Sequence, residues 1–514
     1  MKTILLLSFL ITVGLVVESA AADNSVNKII DHYKRARGGG AVKRVHSTIM
    51  TGAVATADGR AGRFSFRSAE PETLRIDIEN AGKKVTECYN GKSAWRLDER
   101  GLRTLLGDEA RRLHFQALLG NSRLGDLQRN HIVAQAAGKA TVDGRETNVV
   151  EFAKETARIK VFFDAATSLP VKQEWETAGG TEEIFYQDYH AVDGVMEPFS
   201  VRFKNAQGEM VATIDHVEHN GTRDETAFLY PHIEGERPLP NLEVLFKAVI
   251  DNQEKVEELR EHYTFRQVET EGEDDKNSPA KDSKNKDRKT RVYEVTPVAG
   301  RMVQRLISVN GKELDASERE KEDHRVQKEV ERLIKKREQK AQKKQEARDR
   351  GEEGAEDKKE LTILDFLRIL EVTSMRRENF RGHEVIAFDF EPRKGFKPKN
   401  RNETFIGKLA GTMWVDEDAR QIARLEARLM SSFKVAGGAL ASISPSSGVV
   451  FEQEKVGDEV WLPSYAEINF SARLFLVSKM SRNIVTRNSD YKKYQIDSRF
   501  EIGKPTEKKP DDRP

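Results

Sequence analysis

Apolar residues recur at every second position in several stretches of this chain. Phe64 and Phe66 alternate with polar neighbours in RFSFRS, and Leu74, Ile76 and Ile78 do so in TLRIDIEN. Ile159, Val161 and Phe163 in ARIKVFFDA keep the same period, as do Ile468, Phe470, Ala472, Leu474 and Leu476 in INFSARLFLV. A period of two gathers the apolar side chains on one face of a strand, so these segments predict long antiparallel strands with one buried side. Helical spacing is rarer. NSVNKIIDHYKRARGGG predicts an opening helix stopped by glycines, and GDEARRLHFQALLG a short amphipathic helix in mid-domain. LPNLEVLFKAVIDNQEKVEELREHY predicts the helix that begins a second unit. LTILDFLRILEVTSMRREN, with its closely spaced apolar residues, predicts an apolar helix inside that unit.

The strand pattern repeats. An Asn-Gly-Lys hairpin signal occurs at Asn90 and again at Asn310. GRETNVVEF from Gly144 carries Val150 and Phe152 at the offsets where GHEVIAFDF from Gly382 carries Phe388 and Phe390. VFFDAATSLPVKQE corresponds to MWVDEDARQIARLE through Asp164 and Asp416, with Glu174 and Glu426 at the same later offset. DGVMEPFSVRF corresponds to DEVWLPSYAEINF, in which Pro198 and Pro463 precede Val201, Phe203 and Ala466, Ile468. Four blocks in one order predict a duplicated β-rich domain. The later copy is lengthened by the Gly/Ser-rich VAGGALASISPSSG and the basic PRKGFKPKNRNETFIGK.

Charge and composition refine this. MKTILLLSFLITVGLVVESAAAD has a Lys, an apolar run and an A-x-A site at Ala20 and Ala22, which predicts a cleavable export signal over 1–22 with cleavage before Asp23. No Cys follows the run, so lipoprotein acylation is not expected, and the mature chain is expected to be exported. The single cysteine, Cys88, excludes an intramolecular disulfide. A net charge of +1 gives no global field to recruit nucleic acid. Residues 312–359 hold 16 Lys or Arg and 15 Asp or Glu, which predicts a charged, solvated helix, with a partner-binding coiled coil as the alternative. Residues 269–290 and 503–514 predict a disordered loop and tail. The expected domains are therefore 23–235 and 240–502.

The residues at this point resemble a known family. YNGKSAWRLD, VFFDAATSLPVKQE and YHAVDGVMEPFSVRF occur in that order. They are similar to the hairpin, strand and D-G-x-x-x-P motifs of the periplasmic outer membrane lipoprotein-sorting superfamily, the LolA/LolB-like lipoprotein carriers. The resemblance spans about 25–235 and, more loosely, 240–500. It implies a mainly β (α+β) fold: two curved, incomplete antiparallel β-barrels with covering helices, plus the charged helical insertion in the second. It also implies a periplasmic location and an apolar cavity holding the acyl chains of a lipid or lipoprotein.

Strand parity then nominates cavity residues. These are Phe64, Phe66, Ile76, Val161 and Phe163 in the first copy, with Leu113, Phe115 and Leu118 on a covering helix. In the second copy they are Met413, Ile468, Phe470 and Leu474. Trp95, Trp414 and Trp461, at strand ends, are expected to rim the openings. The same pattern equally describes a filled core. No catalytic, metal or cofactor signature stands out. His383 begins HEVIA without the second His of a zinc motif, the RGGGAVKR stretch lacks phosphate-loop spacing, and Cys88 has no evident His partner. The expected function is non-enzymatic binding or shuttling of a lipid or acylated lipoprotein between envelope membranes. The alternative is an envelope interaction or sensor module, with a protein partner on the 312–359 helix.

Overall fold

The computed structural model describes residues 14–493, apart from 58, 123–126, 128–129, 131, 155–156, 178, 223, 234, 273–287, 350–365, 367, 436–440, 446, 458–459 and 475–477. The chain divides into two compact units, one of residues 1–234 with 378–382 and one of 235–377 with 383–514. Most of the segment expected to be an export signal and the whole of the expected tail lie outside the described residues.

The first unit is one open antiparallel sheet of 13 strands. The strands β1 (Ser47–Thr56), β2 (Ala61–Ala69), β3 (Thr73–Asn80), β4 (Lys83–Tyr89), β5 (Ala94–Asp98) and β6 (Gly101–Thr104) form one meander. A second meander comprises β7 (Val133–Val142), β8 (Arg145–Lys154), β9 (Ala157–Asp164), β10 (Pro170–Thr177), β11 (Gly180–Val192), β12 (Val195–Asn205) and β13 (Gly208–His219). The two meanders join where β1 pairs with β13, from Thr48 opposite His219 to Thr56 opposite Met210. Two helices cover one face: α1 (Gly14–Arg37) and α2 (Gly107–Ser122). Val26, Ile30 and Tyr33 of α1 and Phe115 and Leu119 of α2 pack with Val150, Phe152, Ile159, Val161, Phe163 and Trp175 into one buried cluster. The apolar alternation read from the sequence is what turns these side chains toward the helices.

The second unit repeats this plan. Its strands β14 (Tyr263–Gly272), β15 (Lys289–Val298), β16 (Arg301–Val309) and β17 (Lys312–Glu313) form the first meander. The second comprises β18 (Leu370–Phe380), β19 (His383–Pro392), β20 (Leu409–Asp416), β21 (Gln421–Leu429), β24 (Gly448–Val456), β25 (Val460–Leu474) and β26 (Ser478–Lys493). The strands β22 (Phe433–Val435) and β23 (Ala441–Ile443) pair with each other, and β23 also pairs with β25. Again the first strand meets the last, as β14 pairs with β26. Neither sheet closes into a barrel, since each has two free ends.

Three of the four sequence blocks occupy equivalent places. Gly144 and Gly382 precede β8 and β19, Asp164 and Asp416 end β9 and β20, and Pro198 and Pro463 lie in the penultimate strands β12 and β25. The Asn-Gly-Lys pair does not correspond. Asn90 follows the fourth strand of its unit, whereas Asn310 follows the third. The two turns also differ in backbone: Asn310 and Gly311 both have positive φ, whereas at Asn90-Gly91 only the glycine does, so the shared tripeptide carries no register.

One predicted helix is a strand. LEVTSMRRENF is β18, hydrogen-bonded to β19, and only 366 and 368–369 of the preceding apolar run are described as helix. Beyond Leu370 the buried positions include Arg376, Arg377 and Glu378 as well as Phe380, and a pattern of apolar residues does not register the charged ones. The charged segment is a helix, α5 (Ala316–Asp349), with 312–313 in β17 and 350–359 outside the described residues. Its start is a reciprocal cap: the Glu318 N–H donates to Asp315 Oδ1 and the Asp315 N–H to Glu318 Oε2, both at 2.9 Å. Of the expected loop over 269–290, residues 269–272 belong to β14 and 289–290 to β15, and 273–287 lie outside the described residues.

Candidate functional site

A cavity of about 200 Å³ lies inside the first unit, on its helix-covered face. Phe64 and Phe66 of β2, Ile76 of β3, Ile184 of β11, and Val201 and Phe203 of β12 supply most of its apolar wall. Ala117, Leu119 and Gly120 of α2 cover it, and Val161 of β9 closes it from the far side. In the sheet order, β2 and β9 are six strand positions apart, which in a flat sheet would be about 29 Å. Residues that far apart line one small cavity only if the sheet curls on itself. The curvature is thus a measured consequence of the lining.

One end of the cavity is polar. Arg37, the last residue of α1, ion-pairs with Glu197 of β12 through Nη2, and the Glu197 side chain is only 1% exposed. The other carboxylate oxygen of Glu197 accepts from Nε2 of His219 at 3.2 Å. Tyr33, Tyr186 and Tyr189 stand around this pair, and the Tyr189 hydroxyl donates to the Pro170 carbonyl at 2.8 Å. Burial disfavours the charge on Arg37, but Glu197 and the neighbouring tyrosines outweigh it and hold the guanidinium above its ordinary pKa. Burial pushes the phenols of Tyr186 and Tyr189 well up, so both remain neutral hydroxyls. Arg37 and Glu197 are the only charged side chains lining the cavity among the described residues.

The chain places Arg37 through the glycines that end α1. Gly38 has φ +137°, and a Cβ there would stand 2.4 Å from the Gly194 carbonyl oxygen, in the turn between β11 and β12. Only glycine permits both that backbone angle and that approach. The contact brings the end of the helix beside Glu197, three residues past Gly194.

The predicted site residues fall into three groups. Phe64, Phe66, Ile76 and Val161 line the cavity together. Phe115 and Phe163 lie in the packed cluster behind it, with Tyr33 against Phe163 at 5.5 Å between ring centroids. Leu113 packs elsewhere, with Leu74, Tyr89 and Leu105, and Leu118 is buried outside the lining. The tryptophans do not rim an opening. Trp95 is fully buried and its indole N–H donates to the Phe228 carbonyl. Trp461 is fully buried and donates to Asp416 at 2.9 Å, and Trp414 is buried under the Arg424 guanidinium. Internal acceptors draw Trp95 and Trp461 inward, which position at a strand end does not reveal.

The second unit differs. Met413 is buried in a cluster with Ile386, Phe388, Phe390, Val415 and the side chains of α3 (Leu242–Asp251), chiefly Leu245, Phe246 and Val249. Ile468 is 48% exposed and Phe470 half-buried, so neither joins that cluster. Leu474 pairs with Ala441 through its backbone, and its side chain lies outside the described residues. The polar end of the first cavity went unread in the sequence, because its pair is 160 residues apart. One signal was present: Glu197 keeps the parity of the apolar Val201 and Phe203.

Among the described residues, no cluster of three His, Cys, Asp or Glu is placed to hold a metal ion, and no helix is long and apolar enough to cross a membrane. No family of known proteins matches the chain by sequence model, and no curated protein matches it. Solved structures do. A LolA superfamily protein from Nitrosomonas europaea shares 15% identity over 40% of this chain and 97% of its own, with a TM-score of 0.28. An outer membrane lipoprotein-sorting protein domain from Vibrio parahaemolyticus shares 14% over 39% and 94%, with a TM-score of 0.27. MucB of Pseudomonas aeruginosa, in complex with MucA, shares 8% over 90% and 94%, with a TM-score of 0.17. LolA-superfamily domains are thus among its structural neighbours. Overlap at those scores is too loose to carry function, which has to be argued from the cavity.

Proposed function

We propose that this protein is a non-enzymatic carrier of the bacterial envelope, whose first unit holds the acyl chain of a lipid or acylated protein. The observation that carries this reading is the cavity: a curled sheet and a covering helix enclose an apolar space that the side chains do not fill. Each methylene entering it contributes about 0.8 kcal/mol. At about 200 Å³ it is smaller than the roughly 300–1,000 Å³ of ordinary ligand sites, so it takes up part of one acyl chain and not a bundle. The motif resemblance and the export signal agree with a periplasmic carrier. Transfer between membranes follows if the chain is released to a second acceptor.

The test is direct. Purified protein incubated with 1-palmitoylglycerol and examined by native mass spectrometry is expected to form a one-to-one complex. Filling the cavity with Val201→Trp is expected to abolish it while leaving the circular dichroism spectrum intact. Absence of any complex with the unaltered protein, or a complex indifferent to Val201→Trp, would refute the carrier reading.

A further inference from the structure

The polar end of the cavity selects the charge of the cargo's headgroup. Resting on the carrier reading above, we infer that the first unit accepts acyl chains with an uncharged, hydrogen-bond-accepting head, such as an ester or amide, and discriminates against free carboxylates and other ionic heads.

The argument begins with what each group has left to offer. Glu197 has both carboxylate oxygens engaged, one by Arg37 and one by His219, and is only 1% exposed. It cannot rotate toward a ligand without abandoning a buried cation. Arg37 is neutralised by Glu197, and its unpartnered Nε–H is enclosed by protein rather than turned to the cavity. The Tyr186 hydroxyl lines the cavity and makes no hydrogen bond among the described residues, and burial keeps it protonated. The Tyr186 hydroxyl is therefore free to donate at this end, beside an Arg37–Glu197 pair whose charges cancel. A carbonyl oxygen accepts from such a hydroxyl. An anionic head would stand beside Glu197 in a poorly solvated space, and a cationic head beside Arg37; each meets a like charge whose own partner is already taken.

The wall explains why the head comes to rest here. Apart from Arg37 and Glu197 the lining is uncharged, and Phe203 lies six residues along β12 from Glu197. A chain laid along that strand from Phe203 leaves its head at the Arg37 end. The polarity of the cavity thus gives the cargo a direction as well as a class.

Three single-chain probes of equal length test the inference on the unaltered protein: 1-palmitoylglycerol, palmitate at pH 8, and hexadecyltrimethylammonium. Their dissociation constants can be measured by competition against a fluorescent neutral acyl probe. The neutral ester is expected to bind roughly tenfold or more tighter than either ion. Glu197→Gln, which leaves Arg37 uncompensated, is expected to reverse the order of ester and palmitate. Tyr186→Phe is expected to weaken the ester severalfold and leave the ions unchanged. Palmitate binding as tightly as the ester to the unaltered protein would overturn the charge selection while leaving the carrier reading intact. Failure of all three probes to bind would overturn the carrier reading itself. The comparison on the unaltered protein stands whether or not Glu197→Gln folds.

Discussion

Glu197 is the residue on which the first unit's interior depends most sharply. Removing it as Glu197→Ala strands the Arg37 guanidinium, whose side chain is 15% exposed, and breaking a buried pair in this way costs about 3–5 kcal/mol. Urea denaturation is expected to show that loss. The double change Arg37→Met with Glu197→Leu, which replaces the pair by apolar side chains, is expected to recover most of it. A different residue governs acid stability. Asp77 is partly desolvated, but hydrogen bonds from Arg75 and Thr86 and the Arg75 charge more than offset this, holding its carboxyl below the usual pKa. A carboxyl depressed in the folded state stabilises above its unfolded pKa of about 3.9 and loses that contribution as pH falls toward the folded value. Asp77→Asn is therefore expected to lower stability at pH 7 and to flatten its decline below about pH 4, as read from urea midpoints across pH. At this scale the sequence was informative about apolar residues and silent about polar ones. Phe64, Phe66, Ile76 and Val161 were found by parity, because parity is local. Arg37 finds Glu197 only through the sheet, and the buried tryptophans answer to acceptors from elsewhere in the chain.

Elements were legible where one pattern ruled the whole segment. The helix α5 was legible in the dense mixed charge of 312–359, and the structure adds a capping box from Asp315 to Glu318 at its start. Asp315→Ala is expected to cost about 1 kcal/mol, and hydrogen exchange in the first turn of α5 should accelerate accordingly. The effect is expected to reach β16 too, since Glu322, two turns into the helix, accepts from the Leu306 N–H at 2.7 Å. The single helix expected over 239–263 is two, α3 and α4 (Gln253–Arg260), separated at Asn252, and α3 packs on the second sheet. Phe246 is fully buried there, edge-on to Phe388 at 5.4 Å. Phe246→Ala is expected to cost about 3–5 kcal/mol, detectable as a lower urea midpoint of the second unit. The misread element is β18. Apolar spacing up to Leu370 fits a helix, and only pairing with β19 imposes the strand, so local pattern lost to tertiary context.

At the scale of the molecule, the two units share a topology but not an interior. In each, the first strand joins the last, and three sequence blocks fall at equivalent strands. The recurrence of three blocks in one order was thus recoverable from spacing alone. Whether an interior is hollow was not, because the same alternation serves a wall and a core. In the first unit, the space between the α1 cluster and the β1–β3 and β12 strands is left as the cavity. In the second, Leu245, Phe246 and Val249 drive α3 into the sheet and meet Phe388 and Met413 directly. A cavity in the first unit and a packed cluster under α3 in the second predict an asymmetric response to ligand. With 1-palmitoylglycerol at about 100 times its dissociation constant, linkage stabilises the binding unit by about 2.7 kcal/mol. Amides of β2, β3 and β12 that exchange only through unfolding of the first unit should then slow by about 100-fold. Amides of β19 and β20, beneath α3, should keep their rates. Hydrogen-exchange mass spectrometry resolves the two sets of peptides in one experiment. Equal slowing in both would place ligand in the second unit as well and require its packed cluster to open, whereas slowing confined to the first assigns cargo binding to one copy and leaves the other as a filled scaffold of the same design.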